Sequence, residues 1–211
     1  FEEKGYEVEC IPNFISINEY EFKKRTEVRP KLLWVRSFDK TYNPLLAIEI
    51  LQKLKLSFPE AELSMVGPDK DGSLQEVLDK ANELKVSDSL KITGKLSKKE
   101  WLELSKEYDI FINTTDYDNQ PVSVIEAMAM GLPVISTNVG GIPFLIDDGN
   151  DGLLVPRNDA DKFVKEIEKI LTDKELVVKL SDNGREKAES FDWENLKKKW
   201  IELLDPLINK N

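Results

Sequence analysis

From Lys31 onward, short apolar runs alternate with longer amphipathic stretches, and this alternation restricts the fold more than any other feature of the chain. Runs of three or four mostly apolar residues are too short for a helix. They also lack the polar alternation of a strand with one wet face, so they suit strands covered on both sides, as in a parallel sheet between two layers of helices. The runs are LLWV (Leu32 to Val35), LSMV (Leu63 to Val66), LKIT (Leu90 to Thr93), IFIN (Ile110 to Asn113), VIST (Val134 to Thr137) and LLV (Leu153 to Val155), each followed by turn residues. The pattern predicts an α/β fold, a Rossmann-like six-strand parallel sheet with flanking helices.

Helix boundaries are marked locally. Asn43 before Pro44 suits a cap followed by a first-turn proline, and Ser73 with Glu76 and Ser97 with Glu100 match capping boxes. Gly131 is a stop signal for the segment IEAMAM. Beyond Ala160 the pattern is helical only: DKFVKEIEKIL, KELVVKLSDNGREKAESF and WENLKKKWIELLDPL. The expected organisation is an interdomain linker or first-strand region over residues 1–30, the Rossmann-like domain over 31–190, and a C-terminal helical arm of the same domain over 191–211. A start at Phe1, inside an extended-looking stretch, suggests a piece of a longer protein.

Composition removes several classes of chemistry. Thirty Lys and Arg against 40 Asp and Glu leave a net charge of -10, which repels a phosphate backbone, so nucleic acid is not an expected partner. With no histidine and a single cysteine, Cys10, the chain cannot build a disulfide within itself, a thiolate zinc site or a Ser-His triad. No apolar run reaches the eighteen or so residues of a spanning helix, and FEEKGYEVEC is not a signal peptide, so a cytoplasmic location is expected, with membrane association only through another part of the protein. Chemistry must run on carboxylates, Lys, Arg and backbone amides.

Neither a P-loop nor a G-x-G-x-x-G fingerprint is present. Gly67, Gly94, Gly140 and Gly141 instead lie at the ends of different strand candidates, where open α/β sheets bind ligands, although each could equally close a tight turn. Within DYDNQPVSVIEAMAMGLPVISTNVGG, Asp116 to Gly141, Glu126 falls in an apolar helical stretch where an unpaired carboxylate is expensive. It requires partners: a lysine or a backbone amide in a structural role, ligand hydroxyls in a functional one.

This segment resembles the C-terminal domain of glycosyltransferase family 4, whose pattern is an acidic residue, seven residues, a glutamate, then AMA-x-G-x-PV and a strand ending in GG. Asp118, Glu126-Ala127-Met128-Ala129, Gly131, Pro133, Val134, Gly140 and Gly141 carry the likeness. It extends through Ile11-Pro12-Asn13, Arg36 and Lys40, Val66 to Asp69, and Asp147 to Pro156. The resemblance implies the donor half of a GT-B enzyme, binding a nucleoside diphosphate sugar, retaining anomeric configuration and needing neither cofactor nor metal. An N-terminal acceptor domain is implied as partner. Arg36 and Lys40 would stabilise the leaving diphosphate, Asp118 would orient the sugar, and Glu126 would accept from the ribose hydroxyls. The helix beginning at Pro121 or Val122 would offer amides at Val122 and Ser123. Gly67 would lie in the cleft, with Lys95 and Leu96 walling the base pocket.

Three departures from the family pattern stand out. Asp118 replaces a glutamate, Pro121 replaces a glycine and removes an amide, and Lys40 lies one residue closer to Arg36 than in many relatives. They keep a non-catalytic binding module open as an alternative, beside an epimerase or phosphorylase of the same superfamily. Asp116-Tyr117-Asp118 also reads as a D-x-D, which in other transferases holds a divalent metal. Trp34, Trp101, Trp193 and Trp200 stand among strand and helix apolar positions and are expected to pack rather than to stack on sugar.

Overall fold

The computed structural model describes residue 5 and residues 8–208; the outermost parts of the expected linker (residues 1–4, 6 and 7) and arm (209–211) lie outside the described residues. Six strands form one sheet: β1 (Lys31–Val35), β2 (Glu62–Val66), β3 (Leu90–Gly94), β4 (Ile110–Asn113), β5 (Val134–Thr137) and β6 (Leu153–Val155). All pairings are parallel and the spatial order is β3-β2-β1-β4-β5-β6, with Leu33 of β1 opposite both Ser64 of β2 and Phe111 of β4. The helices are α1 (Pro44–Ser57), α2 (Ser73–Glu83), α3 (Lys98–Ser105), α4 (Val122–Ala129), α5 (Ile142–Leu145), α6 (Ala160–Thr172), α7 (Lys174–Glu189) and α8 (Trp193–Ile208).

Successive side chains of a strand point to opposite faces, so continuous apolar runs divide between two cores. Leu32 and Trp34, Leu63 and Met65, and Ile110 and Ile112 join one core with residues of α1, α2 and α6. Leu33, Val66 and Phe111 join the other with residues of α4, Trp101 of α3 and Ala188 of α7. Both faces of the central strands are covered, as their mostly apolar runs require.

Local signals set most helix ends. Asn43, at φ +47°, accepts from the Leu46 amide and caps α1. Ser97 and Glu100 form the expected capping box at α3. The box expected from Ser73 and Glu76 does not form. Gly72 is the N-cap of α2, while Ser73 lies inside the helix with its hydroxyl on the Asp71 carboxylate. Asp71 accepts from the Ser73 amide at 3.0 Å, the donor that a capping box would have paired with the Glu76 side chain, and Asp69 accepts from the Gly72 amide at 3.1 Å.

Before β1 the described residues form no strand or long helix, yet residues 15–25 are packed. Ile15, Ile17 and Tyr20 are buried in the second core. Arg25 is buried with Nη1 on the Lys23 and Met130 carbonyls and Nη2 on that of Tyr108. No helix among the described residues is long and apolar enough to cross a membrane. Trp34 is fully buried with Nε1 donating to Thr114 Oγ1 at 2.9 Å, and Trp101 is buried, whereas Trp193 is partly exposed against the Phe14 ring.

Ile112, fully buried at the centre of β4, reports on the integrity of the sheet. Ile112→Ala is expected to lower unfolding stability by about 2–5 kcal/mol, as large-to-small core changes do, with the slope of the denaturant curve unchanged. Urea unfolding followed by circular dichroism measures both.

Candidate functional site

The strand order reverses between β1 and β4: the chain leaves β1 for β2 on one side and leaves β4 for β5 on the other. The connections therefore diverge at that point and open a crevice at the carboxyl ends of these two strands, the place where doubly wound sheets bind ligands. Arg36 directly follows β1, and the loop Thr114 to Gln120 directly follows β4. Arg36 Nη2 donates to Asp118 Oδ2, joining the two walls of the crevice, and each side chain is 15% exposed. The guanidinium lies over the Tyr42 ring at 4.8 Å, and its Nε is buried without a partner. Burial pushes Arg36 below the ordinary arginine value, and the Asp118 carboxylate opposes that shift. A cation held in this way is ready to meet an anion without paying to shed much more water.

Two glycine positions make this geometry possible. Gly67, at φ +152°, ends β2 beside Arg36, and a Cβ there would lie 1.7 Å from the Arg36 carbonyl oxygen. Gly140 and Gly141 lie against the Asp118 loop, where added Cβ atoms would lie 2.2 Å from the Asp118 oxygen and 2.0 Å from the Asn119 oxygen. The Gly141 amide donates to the Asp118 carbonyl at 2.8 Å. The GG pair thus sets the position of the acidic loop by allowing two backbones to touch.

The same loop delivers α4. Its N-cap, Pro121, offers no side-chain acceptor, so the Val122 and Ser123 amides at the first two helical positions have no intrahelical partner. The Ser123 hydroxyl is buried and unpartnered, and Val122 is 37% exposed. One turn further, Glu126 Oε1 accepts from the Tyr20 hydroxyl at 2.6 Å. Burial pushes the Glu126 carboxyl above the usual carboxylate range; the Tyr20 bond and the charges of Lys98 and Arg36 pull it back, and Glu19 adds to the rise. The partner of Glu126 is thus a phenol, not the lysine or amide that a structural role suggested.

The other expected site residues are placed differently. Lys40 is exposed, with Nζ 3.2 Å from Glu76 and its amide on Asp71, away from the Arg36–Asp118 pair. Lys95 is exposed and Leu96 half-buried, just beyond β3. The two carboxylates of Asp116-Tyr117-Asp118 turn to different cations: Asp116 takes Arg157 at 2.8 Å and the Asn43 amide group at 3.2 Å, and Asp118 takes Arg36. Among the described residues no group of three or more His, Cys, Asp or Glu side chains is disposed to hold a metal ion. Tyr20, Tyr42 and Arg157 escaped sequence reasoning. Tyr20 lies in a stretch without periodicity, and nothing local links residue 157 to residue 116. A cavity of about 680 Å³ opens between Phe22 and Arg25 on one side and Leu102 and Lys106 of the α3 region on the other, and Glu19 and Lys98 are also in its lining.

A parallel sheet in this order, with a half-buried cation, an uncapped helix start and a half-buried glutamate around its switch point, defines a Rossmann-like domain of the GT-B kind. The sequence profile described as "Glycosyl transferases group 1" matches residues 16–187, and the chain belongs to that family. It is 29% identical over 150 residues to the sulfoquinovosyl transferase SQD2 of Arabidopsis thaliana, covering 70% of this chain and 28% of that one. Among solved structures it is similar to Anabaena HepE in complex with UDP and glucose, with a TM-score of 0.84, 18% identity, and coverage of 92% of this chain and 56% of HepE. It is also similar to sucrose-phosphate synthase from Thermosynechococcus elongatus, with a TM-score of 0.82, 26% identity, and coverage of 95% and 53%. The chain thus spans well under two thirds of the length of these proteins.

Because folding raises the Glu126 pKa above its unfolded value, this group favours the folded state fully below the unfolded value of about 4.3, and that contribution is lost as pH rises through the folded pKa. Glu126→Gln removes the cost of charging a buried carboxyl. The variant is expected to melt at a higher temperature than the parent at pH 7, with the difference closing near pH 4, in calorimetric scans at both values.

Proposed function

We propose that this chain is the donor-binding domain of a retaining glycosyltransferase that takes a sugar from a nucleoside diphosphate sugar without a metal ion. The observation that carries the reading is the Arg36–Asp118 pair at the strand-order switch, beside the uncapped start of α4 and one helical turn from Glu126. This grouping matches a donor in chemistry. Arg36 and the Val122 and Ser123 amides suit a diphosphate, Glu126 suits vicinal ribose hydroxyls, and Asp118 suits a sugar hydroxyl. That HepE is crystallised with UDP and UDP-glucose makes a uridine nucleotide the first donor to test.

In the proposed reaction the bond from the anomeric carbon to the diphosphate oxygen breaks and the acceptor oxygen attaches on the same face. The acceptor's proton passes to the departing diphosphate. Arg36 stabilises the negative charge that grows on the leaving group, which is electrostatic catalysis by a pre-oriented cation. Lys40 joins it by leaving Glu76, a contact between exposed side chains worth at most about 1 kcal/mol. Gly67 keeps the backbone behind Arg36 clear, and Lys95 and Leu96 form the wall for the base. The acceptor belongs to a further domain facing this cleft, so the chain alone binds donor and transfers nothing.

Titration calorimetry of the 211-residue chain with UDP tests this reading. Binding is expected in EDTA, and Glu126→Gln is expected to weaken it at least tenfold, equivalent to about 1.4 kcal/mol. A requirement for Mn²⁺ or Mg²⁺ would instead favour metal capture by Asp116 and Asp118.

A further inference from the structure

Tyr20 lies outside every motif of the sequence, yet its hydroxyl makes the direct protein contact to Glu126, at 2.6 Å. The ring is 3% exposed, with Lys98 Nζ 4.7 Å from its centroid, and Lys98 is itself paired with Glu19 at 2.6 Å. The segment carrying Tyr20 is fastened along its length. The Asn13 amide and side chain donate to Gln120 Oε1 and to the Gln120 carbonyl at 2.6 and 3.0 Å. Ile15 exchanges backbone bonds with Phe191 and Trp193, and the Ile17 amide donates to Asp192 Oδ1 at 3.1 Å. Arg185 Nη1 of α7 donates to the Tyr20 carbonyl at 3.1 Å. Residues 13–20 therefore tie together the loop before α4, Glu126 within α4, and the junction of α7 and α8.

We propose that Tyr20 is a positioning residue for the nucleotide site: its hydroxyl occupies one lone pair of Glu126 Oε1 and fixes the carboxylate so that Oε2 and the remaining Oε1 lone pair accept from vicinal ribose hydroxyls. This rests on the reading of Glu126 as the ribose ligand. A carboxylate offers about four acceptor positions, so one phenol leaves room for two ligand hydroxyls. A neutral donor also holds the carboxylate without neutralising it. The charged groups acting on Glu126 are Lys98, Glu19 and Arg36. Without the phenol, the carboxylate is free to turn toward Lys98 or Arg36, and turning to Arg36 would consume the cation meant for the diphosphate. Burial and the adjacent carboxylate push the Tyr20 phenol well above the ordinary tyrosine value, so it remains a donor at every working pH. Its bond in turn holds the Glu126 carboxyl down against the effect of burial.

Tyr20→Phe keeps the ring and removes the hydroxyl. Two measurements on the ligand-free and UDP-titrated chain are required: the ¹³C-carboxyl NMR titration of Glu126, and UDP affinity by calorimetry from about pH 5.5 to pH 8. The Glu126 midpoint is expected to move up, and UDP affinity to fall about tenfold at neutral pH as the carboxylate loses its fixed orientation, with a larger loss on the acid side. Unchanged affinity at all pH values overturns the proposal, as does a uniform loss with an unmoved midpoint, which a merely structural ring would give. If Tyr20→Phe fails to fold, 3-fluorotyrosine placed at position 20 replaces it. The more acidic phenol should move the midpoint down, and an unmoved midpoint overturns the proposal. Glu126→Gln separates the two ideas. If it leaves UDP affinity intact, the ribose reading fails, while the NMR midpoint still shows whether Tyr20 governs the carboxyl.

Discussion

The reversal of strand order between β1 and β4 is the constraint on which the rest of the structure depends. A parallel strand cannot return to its neighbour by a hairpin, so each connection must cross a face of the sheet, and the two halves of the chain cross in diverging directions from the centre. The central strands are buried on both faces by helices, which is why Leu32, Leu33 and Trp34 are all fully buried. The end of the sheet where the connections part is left uncovered by either layer. Arg36 and Asp118 lie there because each is among the first residues after a central strand.

Polar groups at that opening are held in ways that cost stability. Arg36 keeps a buried, partnerless Nε, Ser123 keeps an unpaired hydroxyl, and burial disfavours the charged form of Glu126. A core built for stability alone would place apolar residues at such positions. Their cost is offset by the two apolar cores.

The glycines show how packing and chemistry become entangled in one motif. Gly140 and Gly141 stand at the carboxyl edge of the sheet, where a phosphate-binding role is the natural expectation, yet what they accommodate is the backbone of Asp118 and Asn119. What they govern is the position of the acidic loop. Asp116 shows the converse. Its spacing from Asp118 suggests a shared ion, but the side chains of Asn43 and Arg157, from distant parts of the chain, draw it away.

The sequence by itself determined the class of fold and the location of every strand, because short, mostly apolar runs admit few environments and the turn residues after them mark where each ends. It also determined that Arg36, Asp118 and Glu126 belong to one region, through the motif around Glu126 and the rule that loops after parallel strands share an edge. Local chemistry was enough for the caps at Asn43 and Ser97, but not at Ser73, where Asp71 takes the amide that a capping box would have used. Only the tertiary structure decided the strand order, that Arg36 faces Asp118 while Lys40 turns to Glu76, and that Tyr20 reaches Glu126 across 106 positions of sequence. The physical reason is one of range. Periodicity and capping act over a few residues and are written in order along the chain, whereas a hydrogen bond between distant side chains depends on how separately specified elements pack, and neither partner's neighbours carry a sign of it.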